Sequence, residues 1–83
     1  MKIVCSVFDI KAHVFSLPFF SHSRATAIRD FHSVALDPNL PINKFPGDYE
    51  LWQLGDWDED TGNFILLPKI EFITKAHALI SQE

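Results

Sequence analysis

The chain has 83 residues, 47% of them hydrophobic, with 8 Phe, 2 Trp and a formal charge of −4. That length admits a single domain spanning 1–83, because a second hydrophobic core could not be built from what remains. One cysteine excludes an intrachain disulfide, 3 glycines leave no phosphate-cradling loop, and no run reaches the 18 apolar residues of a membrane span.

Charge is divided unevenly along the chain. Residues 1–46 carry five basic and three acidic side chains, whereas residues 47–83 carry two basic and eight acidic ones. Any contact with nucleic acid is therefore expected from the first half, and the second half should repel phosphate or mimic it.

Lys2 to Ile10 alternates Ile3, Cys5 and Val7 with Val4, Ser6, Phe8 and Ile10, apolar on both sides, which predicts an interior strand or an edge covered by a partner. Cys5 within it is expected to be a buried, inert thiol in a reducing compartment. Lys11 to Leu17 is less regular, and Val14, Phe15 and Leu17 fit a short strand or an ordered loop. Pro18 interrupts any interior ladder there.

A helix is predicted to start after Ser21 or Ser23, either of which can cap it. Ala27, Ile28, Phe31, Val34 and Ala35 give it one apolar face, and Asp37-Pro38 ends it near Leu36. Pro41 and Pro46 should hold the next segment extended. Tyr49 to Trp57 alternates as a strand, and Asp58-Glu59-Asp60-Thr61-Gly62 turns into a hairpin mate at Asn63 to Leu67. Beyond Pro68, Phe72, Ala76, Leu79 and Ile80 recur at helical spacing and predict a short C-terminal helix. The expected fold is α+β: a small three- to four-stranded antiparallel or mixed sheet, with one central helix and the short C-terminal helix packed on one face.

Few residues group into chemistry. Asp56, Asp58 and Asp60 begin a calcium-loop pattern, but Thr61 stands where its glycine belongs and Leu67 where its bidentate glutamate belongs, so a solvated turn is the better reading. His13, His22, His32 and His77 lack zinc-site spacing. Neither a cofactor nor a metal is expected, and no set of titratable residues suggests an enzyme. The group that could bind something is Lys11, Phe15, Phe19, Phe20, Arg24 and Arg29, since rings beside cations can stack unpaired bases and neutralise phosphates. Against this, a Phe-Phe pair before a helix often packs the helix start onto the core.

Phe8-Asp9-Ile10-Lys11-Ala12, the spacing from Phe15 to Pro18-Phe19-Phe20, Ala27-Ile28-Arg29-Asp30-Phe31, Asp48-Tyr49-Glu50-Leu51, Leu54-Gly55 and Asp58 to Phe64 occur in an order that resembles the small nonstructural protein of gokushoviruses. These are tailless single-stranded-DNA phages of the microvirus group. The resemblance runs from Met1 to about Leu67. It departs at Ala25, where glycine or another small residue is frequent, and at Gly47, where an acidic residue is common. It implies a nonvirion protein of the host bacterial cytoplasm that acts in single-stranded genome synthesis or packaging. The partners expected from ring chemistry and resemblance together are single-stranded DNA, or the phage replication initiator or capsid in an adaptor role, with the chain acting as a homo-oligomer.

Overall fold

The computed structural model describes residues 1–80. The first strand, β1 (Lys2–Asp9), lies in the interior of an antiparallel sheet. One of its sides pairs with β2 (Val14–Phe15) and with β3 (Phe19–Ser21), two short strands set end to end on either side of Pro18. The other side pairs with β4 (Tyr49–Asp58), which in turn pairs with β5 (Asn63–Lys75). Five strands thus make four rows, with β1 in the interior.

Between β3 and β4 come α1 (Arg24–Ala35), the one-turn α2 (Pro41–Lys44) and a 3-10 turn at Pro46–Asp48. Ser23 caps α1: its hydroxyl accepts from the Thr26 N–H while the Thr26 hydroxyl accepts from the Ser23 N–H, so two otherwise unpaired backbone donors are satisfied. The extended segment expected from Pro41 and Pro46 is instead helical. Each proline occupies a first-turn position, where its missing N–H costs no hydrogen bond.

The helices cover one face of the sheet. Cys5, Ala27, Phe31, Ala35, Ile42, Leu51 and Ala76 form the buried core, with Ile3, Val7, Phe19 and Ile73 packed around it.

The C-terminal part differs from the sequence expectation. β5 does not stop at Leu67 but runs through Pro68 to Lys75, and the helix α3 (Ala76–Ile80) begins only after it, so Phe72 is a strand residue. The reason lies in the register. Gln53 pairs with Glu71 and Gly55 with Leu66, so residues 67–70 fall in a break of the ladder where a proline displaces no paired donor. Gly55 sits at the same break. A side chain there would meet the Ile65 carbonyl oxygen at 2.5 Å, so only glycine lets β5 approach this closely. No helix of the described residues is long and apolar enough to cross a membrane.

Candidate functional site

Strand alternation distributes the remaining side chains. Cross-strand partners share a face, so the pairs Lys2–Trp57, Val4–Phe20, Ser6–Trp52, Phe8–Phe15, Trp57–Phe64, Trp52–Phe72 and Glu50–Lys75 all belong to the face that the helices leave open. Seven aromatic rings stand on it, in two groups.

In the first, Phe8 lies 4.5 Å from Phe15, Phe15 6.3 Å from Trp52, and Trp52 5.6 Å from Phe72, centroid to centroid. In the second, Trp57 lies 4.9 Å from Phe64 and 5.8 Å from Phe20. Phe20 and Phe64 are stacked at 6.1 Å, and the other pairs are tilted or edge-to-face. Phe15, Phe20, Phe64 and Phe72 are exposed, and Phe8, Trp52 and Trp57 are half-buried. Val4 and Ser6, on the same face, are buried. Trp52 and Trp57 pair with Ser6 and Lys2, four β1 residues apart, which puts them about 13 Å from each other at ~3.3 Å per residue.

The same alternation sorts the charges. Asp56 pairs with Ile3, Glu71 with Gln53, and Asp9 with Tyr49, all on the helix-covered face or its margins. The ring-bearing face carries Lys2, Lys75 and one strand carboxylate, Glu50. Glu50 accepts from the Trp52 indole N–H at 3.1 Å and lies 4.0 Å from the Lys75 ammonium. A net charge of −4 therefore misdescribes this surface, where the open-face strand positions are not acidic on balance. At the hairpin end, Glu59 is paired with the Met1 amino group.

The six residues singled out from the sequence separate. Phe15 and Phe20 belong to the ring-bearing face, one in each group, and exposed Lys11 lies in the turn that joins β1 to β2. Phe19, next to Phe20 in a strand, points the other way and packs against the core. Arg24 starts α1 on the helix side, where its Nε donates to Gln53 Oε1 at 2.7 Å and its terminal nitrogen pairs with Glu71. Arg29 is exposed beside Asp30. Sequence reasoning missed Phe8, Trp52, Trp57, Phe64, Phe72 and Lys2. Both tryptophans lie on the strand that alternation identified, but strict alternation would send them to opposite faces; the irregularity between Gln53 and Gly55 brings them to one.

Other chemistry is sparse. Among the described residues no group of three or more His, Cys, Asp or Glu side chains converges as a metal site. Burial pushes the Cys5 thiol up from 9.0 to about 11, with the Arg24 guanidinium as the smaller, opposing influence. The Tyr49 phenol is also raised, by burial first and then by the Asp9 and Asp48 carboxylates. Between pH 9 and 11 the unfolded chain loses the thiol proton while the folded chain keeps it, so stability present at neutral pH falls as pH rises through that window. Two results are expected. Iodoacetamide at pH 8 should label Cys5 only after unfolding in urea, and Cys5→Ala should flatten part of the alkaline loss of stability.

A family model described as "Phage ORF5 protein" matches residues 2–79. No curated protein and no solved structure matches the chain.

Proposed function

The chain belongs to the Phage ORF5 protein family, and from that premise we propose that it is a nonenzymatic accessory factor of a single-stranded-DNA phage, of the gokushovirus kind. It acts in the host cytoplasm during genome synthesis or packaging by holding unpaired DNA on the open face of its sheet. The observation that carries this reading is the pair of ring groups on one uncovered face, Phe8, Phe15, Trp52 and Phe72 beside Phe20, Trp57 and Phe64. Bases in a duplex are already stacked and cannot reach such rings, whereas unpaired bases of any sequence can. Lys2 and Lys11, with Lys75 in part, supply a modest cationic margin, so stacking rather than phosphate neutralisation supplies most of the affinity.

Titrating a labelled single-stranded oligonucleotide at several salt concentrations tests this. Two or three phosphate contacts at about −0.7 each give a shallow log–log slope of roughly −1.4 to −2. A duplex of the same sequence should bind far more weakly. Equal binding of the two, or no single-strand binding at low salt, overturns the proposal.

A second reading is favoured by one feature of the same surface. Leu66 is 71% exposed on it, and an aliphatic side chain suits a protein partner better than a base. On this reading the chain is an adaptor that engages the replication initiator or the capsid without DNA. Capture of either from infected cells despite nuclease treatment supports the adaptor, and nuclease-sensitive capture supports DNA.

A further inference from the structure

The two ring groups stand on one line. Trp57 pairs with Lys2 near the start of β1 and Trp52 with Ser6 farther along it, so the two indoles rise from the same face about 13 Å apart. The row of strand positions between them, Val4, Gly55 and Leu66, bears no charge. The cations lie at the outer ends. Lys2 is in the row of Trp57, Lys75 pairs with Glu50 in the row beyond Trp52, and Lys11 follows in the turn at that end.

Along the direction of β4 the open face therefore carries, in order, a cation, rings, an uncharged row, rings and cations. A polyanion passing from one ring group to the other meets no carboxylate on the strand positions between them. Glu50, in the last row, is 15% exposed, and its oxygens face the Trp52 indole N–H and the Lys75 ammonium. A strand laid across the sheet instead, along one row, would meet rings of one group only and the cations of one end.

Resting on the reading of this face as a single-strand binder, we infer that one DNA strand runs along β4 and occupies both ring groups at once, so that the ligand of the site is a segment of about five nucleotides. Stacked bases advance about 3.4 Å per nucleotide, and four such steps cover the distance between the tryptophans. An unstacked strand covers it in fewer, but two adjacent bases are too close together to reach both. A base seated on one group holds the rest of its strand near the other at an effective concentration on the order of millimolar, which makes one firm site of two weak ones.

Trp52 and Trp57 are the only tryptophans of the chain, so quenching of their fluorescence reports binding, and each single substitution leaves one reporter in place. Oligothymidylates of increasing length, from the dinucleotide upward, are titrated into the full chain at low salt. Affinity is expected to rise by about 10²-fold or more between two and roughly five nucleotides. Beyond that it should grow only in proportion to the number of places at which a longer strand can start. A hexanucleotide should quench Trp57 in Trp52→Leu and Trp52 in Trp57→Leu, and should saturate the wild type at one strand per chain. Affinity that climbs evenly with length, quenching in one variant alone, or two hexanucleotides per chain overturns the inference while single-strand binding itself stands. Absence of binding at every length overturns the reading beneath it and the inference with it.

Discussion

Phe31→Ala is expected to destabilise the fold by about 3–5 kcal/mol, the usual cost of truncating a buried phenylalanine. Phe31 is 3% exposed and lies between the α1 neighbours Ala27 and Ala35 on one side and Cys5 and Leu51 of the sheet on the other. Both helix neighbours are alanines, so this ring supplies most of the volume with which α1 fills the core. Its loss joins the space it occupied to the apolar cleft of about 440 Å³ that Phe31 lines with Val7, Phe19, Val34 and Ile42, and takes the ring's contacts from the core. At ~0.05–0.15 kcal/mol per residue, a chain of this length has a total stability of roughly 4–12 kcal/mol, so the variant sits near the edge of folding. Urea denaturation measures the effect. Phe31→Leu should recover much of the loss, and Phe72→Ala, on the open face with a ring 47% exposed, should cost far less. A change below about 1 kcal/mol for Phe31→Ala would mean that α1 is seated on the sheet by other residues.

The helix was readable because its limits are local. Ser23, three residues ahead of Thr26, and Asp37-Pro38 each act within a single turn, and Leu36 closes α1 close to where those residues place its end. β1 and the first half of β4 were readable because alternation is local too, whereas the irregularity between Gln53 and Gly55, which brings Trp57 to the face of Trp52, was not. The course of β5 was not, since a proline within a strand is permitted only by a register break, and that break is a property of the β4–β5 pair rather than of either segment. Helical spacing from Phe72 to Ile80 is also compatible with a strand that gives way to a helix at Ala76.

The site divides in the same way. Reading Phe19-Phe20 as the approach to a helix keeps the two rings together, whereas reading it as a strand sends them to opposite faces, and the second is what the register of β3 on β1 dictates. Arg24 looked available because its partners, Gln53 and Glu71, lie 29 and 47 residues away in sequence. The ring-bearing face is assembled from five strands, and only their pairing brings Phe8, Trp52 and Phe72 beside Phe15, or Trp57 and Phe64 beside Phe20.

That assembly gives the sharpest functional prediction. Trp52→Leu and Trp57→Leu keep an apolar side chain above the sheet but remove the larger ring on which a base can stack. Each should weaken single-stranded DNA binding by about 1–3 kcal/mol, roughly 5- to 150-fold, with the fold preserved by circular dichroism. The two tryptophans belong to separate ring groups about 13 Å apart, far enough for their effects to add, so the double variant should lose the product of the two factors. The salt slope should stay where it was, because no phosphate contact has been removed. Lys2→Gln and Lys11→Gln should behave in the opposite sense, each making the slope shallower by about 0.7 while the preference for unpaired DNA persists. Arg24→Gln serves as the internal contrast. Its guanidinium is already committed to Gln53 and Glu71, so its loss should leave DNA affinity nearly unchanged and appear instead in stability. If the tryptophan variants bind as tightly as the wild type while Arg24→Gln does not, the binding surface is the helix side, and the rings are free to meet a protein.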